Sequence, residues 1–557
     1  MNRNNLLTAA GLGLIGLSSA QADDPPANRP NIIFCMTDDQ GWGDVSWNGC
    51  SVPFPALDAM AANGMRFDNF YSSAPVCTPT RGGCLTGRHP NRYGIFKYGI
   101  SLDLREQSIA EILRDHGYAT GHFGKWHLNG ISGPGRPVRP TDSHSPDKFG
   151  FDVWASTSNY IDLYDQLGRN DGSTLDIPGD TSDAIMDEAI SFIRNAATND
   201  QPFFSVIWYT SPHAPSEALP DDYAAGGNDH YFGELVAVDR SIGVLRSELR
   251  TLGIETNTIL WFCSDNGSYH TGSNAELKGG KKKVWEGGIR VPGIIEWPAR
   301  ISGASTTTVT ASTSDIFPTL LDALDLESER KHLIDGVSLL PAIDGTMQIR
   351  PEPMAFWYHD ATTYQTNSHA ALIDGNYKLH LDPVGYPAGT TLLYDLSQDL
   401  SETTDLSSSE PGITSNMLAT LEAWQASVER SFDEGYDYDE DGDGMPDWWE
   451  TEYYGGETNA NPTATASNGV NTVLETYIAG LDPTDPQSAF LISDLSPLTS
   501  GNVLSWNTTN DRVYSVYWAS NLLSGFQPLE TNVAVPFTDT NHPADGQGFY
   551  KIEVELE

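Results

Sequence analysis

At 557 residues the chain is too long for one small core, and two to four domains are expected. Its 75 acidic against 31 basic residues give a formal net charge of −44 at pH 7, which excludes nucleic acid or an anionic membrane as the ligand of most of the surface. Such a surface suits a protein kept soluble outside the cell. The five cysteines, at 35, 50, 77, 84 and 263, are too few and too odd in number for a disulfide framework. Cys35 and Cys263 fall in apolar runs and read as buried thiols, and no pairing follows from the sequence.

The N-terminus carries Arg3, an apolar run from Leu6 to Leu17 and the small residues around Ala20-Gln21-Ala22. This reads as a secretory signal peptide over 1–22, so an exported protein, periplasmic or secreted, is expected. No later stretch is apolar and long enough to span a bilayer, so no membrane span is expected. Asn31 to Met36 reads as a buried central strand. It leads into Asp38-Asp39, and adjacent acids at the C-terminal end of such a strand are hard oxygen ligands suited to Ca²⁺ or Mg²⁺. Ala56 to Asn63 is a helix stopped by Gly64. Another helix begins at Cys77-Thr78-Pro79-Thr80-Arg81, with Pro79 in its first turn.

Ser108 to His116 is an amphipathic helix, and Tyr118 to His122 a strand. Just after it, Gly124-Lys125-Trp126-His127 puts an anion-binding charge and a proton acceptor on one side. Residues 129–182, rich in Gly, Pro, Asp and Ser, read as long loops that carry specificity. Asp183 to Ala196 is a helix, and Pro202 to Tyr209 is a strand followed closely by His213. Tyr231 to Leu249 is a helix, and Thr258 to Cys263 a second buried strand ending at Asp265-Asn266. Four of the ten lysines lie between Lys278 and Lys283, and a positive cluster on so acidic a chain marks a place for an anion. Asp315 to Leu326 is a helix. Ala370 to Leu381 and Thr390 to Leu396 alternate like exposed strands, and Asn416 to Arg430 is a further helix.

Taken together, these segments resemble the type I sulfatases over residues 28–430. Cys77-x-Pro79-x-Arg81, continued by Leu85-Thr86-Gly87-Arg88, is similar to the family signature. Gly124-Lys125-Trp126-His127, His213, Asp265-Asn266 and Lys281 followed by Glu286-Gly287-Gly288 are similar to its other motifs. The resemblance implies an α/β, alkaline-phosphatase-like fold: a mostly parallel sheet flanked by helices over 28–345, and a small antiparallel C-terminal subdomain over 346–430. It implies that Cys77 is oxidised to formylglycine by a formylglycine-generating enzyme. One catalytic Ca²⁺ is implied, held by Asp38, Asp39, Asp265 and Asn266 together with residue 77. Lys125, Lys281 and Arg81 would neutralise charge on sulfate and nucleophile. His213, with Lys281 assisting, would protonate the leaving alcohol, and His127 would take the proton that restores the aldehyde. Lys282-Lys283-Val284 stands where the family has Gly-Thr-Thr, so Lys282 and Lys283 are candidate contacts for further substrate charge.

Beyond Ser431 the composition changes. Asp439, Asp441, Asp443, Gly444, Asp447 and Glu450 fit positions 1, 3, 5, 6, 9 and 12 of an EF-hand-like calcium loop, within a spacer over 433–487. A degenerate copy keeps Asn468-Gly469 and Glu475. Residues 489–557 alternate and read as a small β-module. The function these readings imply is hydrolysis of a sulfate ester on a sulfated polysaccharide or oligosaccharide. The alternatives are a phosphomonoesterase or phosphonate hydrolase of the same superfamily, and a catalytically silent binding protein.

Overall fold

The computed structural model describes residues 29–433 and 443–556, apart from 270–271, 329–331, 362–364, 366–367, 457, 499–500, 510–511, 521–524 and 543–547. The expected signal peptide and Asp439 and Asp441 therefore lie outside the described residues. Two compact units divide the chain between Gly435 and Tyr436. Among the described residues no helix is long and apolar enough to cross a membrane.

The larger unit is built on strands β1 (Asn31–Thr37), β2 (Met65–Phe67), β3 (Phe70–Tyr71), β4 (Ala119–Lys125), β5 (Val153–Thr157), β6 (Gln166–Arg169), β7 (Thr174–Asp176), β8 (Phe203–Trp208), β9 (Thr258–Ser264), β10 (Gly293–Glu296), β11 (Ser305–Thr307) and β12 (Ala311–Ser312). All but β3 and β12 join one sheet, ordered β11-β2-β10-β9-β1-β8-β4-β5-β6-β7. Its centre is parallel: β1 pairs in register with β8 on one side and β9 on the other. All residues of these three strands are buried, the pattern of a sheet covered on both faces.

The period of two along β1 assigns the faces. Ile32, Phe34 and Met36 pack with helices α2 (Cys77–Thr86), α3 (Ile109–Asp115) and α8 (Ile316–Leu324). Ile33 and Cys35 pack on the other face with α1 (Pro55–Asn63), α4 (Thr181–Thr198) and α6 (His230–Leu252). Ser108 caps α3 in a reciprocal capping box with Glu111, which satisfies two otherwise orphaned N–H groups. All five cysteines are free thiols.

Residues 129–182 are not the continuous loops that their composition suggests. They contain β5, β6 and β7, which extend the sheet at one edge. The antiparallel β6–β7 hairpin turns at Asp171-Gly172, with Gly172 at φ 84°. Asp-Gly is a hairpin signal, but the flanking strands of four and three residues are too short to show a period. A second difference falls in the C-terminal subdomain. Ala370 to Leu381 is two strands, β14 (Ala370–Asp374) and β15 (Tyr377–Leu381), reversing at Gly375 with φ 57°. With β13 (Met354–Trp357) and β16 (Thr391–Asp395) they form an antiparallel sheet. These strands are largely buried, not exposed. Leu372, Leu379 and Leu393 pack against α10 (Pro411–Asp433), while Phe356, Tyr358 and Ala371 pack against Val76 and Val284. Alternation with both faces covered looks in sequence like alternation with one face wet.

In the smaller unit, α11 (Asp447–Tyr454), α12 (Val473–Ala479) and strands between Ile492 and Leu556 share one core. Trp449, Val473 and Ile478 meet Trp506, Val516 and Ile552 there. Glu475, in the degenerate second loop, closes a capping box with Thr472 at the start of α12.

Arg92 and Asp335 bind α10 to the body of the larger unit. The guanidinium meets Asp335 at 2.8 Å through Nε and through Nη2, and its Nη1 donates to the Ser427 carbonyl at 3.1 Å. Trp424 Nε1 donates to Asp335 at 3.2 Å. Burial works against ionisation of Asp335, but the Arg92 charge overrides it and holds the carboxyl well below the usual range. A depressed folded-state pKa contributes stability that is present above the unfolded value, about 4, and is lost as pH falls through the folded value. Asp335→Ala is expected to destabilise the larger unit by about 3 kcal/mol at pH 7. Urea unfolding of wild type and variant should show that deficit shrinking below about pH 4.

Candidate active site

The adjacency of β1 and β9 builds the acidic half of the site. Thr37 pairs with Ser264, so the residues that follow, Asp38-Asp39 and Asp265-Asn266, leave the sheet side by side at its C-terminal edge. Asp39 turns back in the left-handed region, φ 69°, uncommon for a residue with a side chain. Its N–H donates to Asp265 Oδ1 at 3.1 Å, and Asn266 Nδ2 donates to Asp39 Oδ1 at 2.7 Å. Cys77, the first residue of α2, is buried. Its sulfur and carboxylate oxygens of Asp38 and Asp265 lie within 4.8 Å of one another, as do ligand atoms of Asp38, Asp39 and His213.

Three cations answer these three acids. Lys125 is the last residue of β4, which runs three residues past the expected end at His122, and it places Nζ 2.6 Å from Asp38 Oδ2. Arg81 lies one turn along α2 from Cys77. It donates to Asp265 Oδ2 at 2.7 Å and to the Lys125 carbonyl at 3.1 Å, with its guanidinium 5.0 Å over the Trp208 ring. Lys281 meets Asp39 Oδ1 at 2.6 Å. Burial disfavours charge on Asp39 and on Lys281, but each holds the other ionised, the acid below and the amine above its ordinary range. Burial and the Asp38 charge push Asp265 up to about 6 against the pull of Arg81. Three carboxylates against three cations leave the cluster neutral. A divalent ion added to it gives a net charge of about +2, which attracts an anionic ester.

The donor set fits a hard cation. Asp38 Oδ1 and Asn266 Oδ1 are buried oxygens without a hydrogen-bond donor among the described residues, although Arg81 lies 4.0 Å from the former. Carboxylate and amide oxygens are the ligands of Ca²⁺ and Mg²⁺.

Both histidines are held in the neutral form here. His127 is buried with φ 53°, and neither ring nitrogen has a hydrogen-bond partner among the described residues. Burial, then the Lys125 and Arg81 charges, hold it neutral. His213 stacks on Tyr160, ring centres 4.5 Å apart, with Nε2 3.8 Å from Asp39. Burial pushes it down to about 3 although Asp39 opposes, so this contact is not an ion pair at neutral pH. Burial also raises the Cys77 thiol, partly offset by Lys125 and Lys281.

The structure thus brings together Asp38, Asp39, Cys77, Arg81, Lys125, His127, His213, Asp265, Asn266 and Lys281. The other lysines of the cluster separate. Lys282, at φ 70°, has its ammonium 5.0 Å from the Tyr98 ring, and Lys283 is exposed. Lys278 instead lies 3.6 Å over Trp285. Asp443, Asp447 and Glu450 belong to the smaller unit: Gly444 has φ 95°, and Asp447 and Glu450 lie in the first turn of α11.

Sequence reasoning misses Tyr160, Trp208 and the Asp44–Tyr231 brace. Tyr231 donates to Asp44 Oδ2 at 2.6 Å with the Asp39 carbonyl 3.1 Å away, and Asp44 also accepts the Gly41 N–H at 2.9 Å. None of these has a local signal, since each acts on a partner far away in the chain.

Comparison with known proteins agrees with this geometry. A family model described as Sulfatase matches residues 30–326. The chain is 32% identical to N-acetylgalactosamine-6-sulfatase of Mus musculus over 410 residues, covering 66% of this chain and 74% of that protein. It is 32% identical to an ulvan-active sulfatase of Formosa agariphila over 332 residues, covering 54% of this chain and 62% of that one. Among solved structures, Ps i-CgsB in complex with k-i-k-neocarrahexaose is similar at 27% identity with a TM-score of 0.64, over 71% of this chain and 92% of that one. Fold, motifs and relatives agree, and the chain belongs to the type I sulfatases of the alkaline-phosphatase superfamily.

Proposed function

We propose that this sulfatase removes sulfate from a sulfated polysaccharide or oligosaccharide, with Cys77 converted to formylglycine and one Ca²⁺ held by Asp38, Asp39, Asp265 and Asn266. The observation that carries this reading is the convergence of three paired acids and cations on Cys77 at the sheet's C-terminal edge. Formylglycine supplies a hydrated aldehyde oxygen as nucleophile, and the metal supplies charge that binds the sulfate. Lys125, Lys281 and Arg81 are fixed positive charges for oxygens that gain charge in the transition state. His213 is neutral by itself, and an anionic ester beside it raises its pKa, which suits it to protonate the departing alcohol. His127, neutral and without a hydrogen-bond partner among the described residues, is the acceptor for the proton that releases sulfate.

A carbohydrate substrate is supported by the relatives, one named for N-acetylgalactosamine, one for ulvan and one bound to neocarrahexaose. Export is supported by residues 1–22, and the proposed conversion of Cys77 implies maturation by a formylglycine-generating enzyme. In the smaller unit a structural Ca²⁺ is proposed at Asp439, Asp441, Asp443, Asp447 and Glu450, leaving catalysis to the larger one. Lys282 and Lys283 are proposed to meet further sulfate groups.

Peptide mass spectrometry of active protein is expected to show the Cys77 thiol replaced by an aldehyde or its hydrate. Full activity with Cys77 unmodified would sink the mechanism, and faster release of phosphate than of sulfate from matched esters would favour a phosphatase. Asp38→Ala is expected to lose one bound calcium and at least about 100-fold in turnover. Asp443→Ala should also lose one calcium but leave turnover of a small sulfate ester within about two-fold; inductively coupled plasma analysis beside the kinetics checks both. Lys282→Ala combined with Lys283→Ala should raise KM for a multiply sulfated oligosaccharide about three- to ten-fold at low salt and barely change it for a singly sulfated one. An equal change on both substrates would show that these lysines do not read extra charge.

A further inference from the structure

Outside the metal and nucleophile set, a dense buried charge network surrounds Glu402, in the connection between β16 and α10. Its side chain is fully buried, and its backbone is held in the left-handed region at φ 53°, a strained setting for a glutamate that persists only where its surroundings enforce it. Oε1 accepts from His380 Nε2 at 2.6 Å and from Lys378 Nζ at 3.1 Å. Oε2 accepts the Glu286 N–H at 2.8 Å, and the main-chain carbonyl accepts Lys278 Nζ at 3.2 Å. Glu402 thus grips both flanks of the 278–286 segment, one through its carboxylate and one through its backbone. Between those flanks stands Lys281, whose ammonium lies on Asp39.

The surrounding groups fix the carboxylate in turn. Lys378 bridges to Glu286 Oε1 at 2.8 Å, and Glu286 Oε2 accepts from Tyr71 at 2.9 Å and Arg290 at 3.1 Å. Burial holds His380 and His369 neutral. His380 donates from Nε2 to the carboxylate, so its Nδ1 is left to accept from His369 Nε2, 2.8 Å away. Both carboxylate oxygens and the carbonyl of Glu402 therefore have defined partners.

We propose that Glu402 is a positioning residue for Lys281: from the C-terminal subdomain it fixes where the Lys281 ammonium stands over the site. The proposal rests on the reading above, in which Lys281 meets the sulfate. It distinguishes Glu402 from a purely structural residue, because its effect on turnover should run through Lys281.

The test is a double-mutant cycle on the full-length enzyme, co-produced with a formylglycine-generating enzyme and assayed with 4-methylumbelliferyl sulfate. Glu402→Gln keeps the shape but removes the charge, and is expected to lower kcat about 10- to 100-fold with KM within about two-fold. Placed on a Lys281→Ala background, it should cost less than about two-fold further. Loss of the same factor on both backgrounds, or full turnover by folded Glu402→Gln, would overturn the proposal. Thermal unfolding and calcium content accompany each protein. If Glu402→Gln fails to fold, Lys278→Met removes one grip while keeping the stem over Trp285, and the same cycle decides with an expected loss of about 3- to 10-fold. Absence of sulfate release by the wild type would instead overturn the functional reading, and this role with it.

Discussion

Three carboxylates are packed at one edge of a sheet where each is buried. Unmatched, their repulsion and desolvation would cost several kcal/mol each, together comparable to a domain's net stability of about 5–15 kcal/mol. Asp38, Asp39 and Asp265 are tolerated because Lys125, Lys281 and Arg81 each reach one of them within 2.8 Å. The cations come from β4, from the loop before α7 (Glu286–Ile289) and from α2, so the chain must be folded across its whole first half before the acids are neutralised. Charge balance and fold are the same condition here.

The parallel sheet makes this convergence possible. Parallel strands all end on one edge, and the residues after β1, β8 and β9, with the last residue of β4, all arrive there. Helix α2 then brings Cys77 and Arg81 to the same edge. The C-terminal sheet contributes from behind. One of its faces packs against Val76 and Val284, neighbours in sequence of Cys77 and the lysine loop. It therefore supports both of these segments at once.

The sequence made the centre of the fold readable because β1, β8 and β9 are largely apolar runs of six or seven residues. Their ends carry the chemistry, so the acids and His213 were legible with them, and the resemblance added Arg81 and Lys281. The strands β5 to β7 were not legible, because three to five residues carry no measurable period. Lys278 to Lys283 reads as one positive patch in sequence. In space the side chains diverge onto Trp285, Asp39 and Tyr98, since they sit on a turn with Lys282 left-handed. Glu402 was illegible for another reason. Its meaning lies in a segment more than a hundred residues earlier, and no local pattern marks it.

The burial of Cys77 also orders events in time. Only 2% of it is exposed once the fold is complete, and the cations that enclose it extend to Lys281, 204 residues further on. A ribosome adding about 5–20 residues per second needs on the order of 10–40 s to make that stretch. During this interval the segment around Cys77 has emerged and its cover is still incomplete. Any enzyme that alters this side chain has its opening then, and the finished protein closes it.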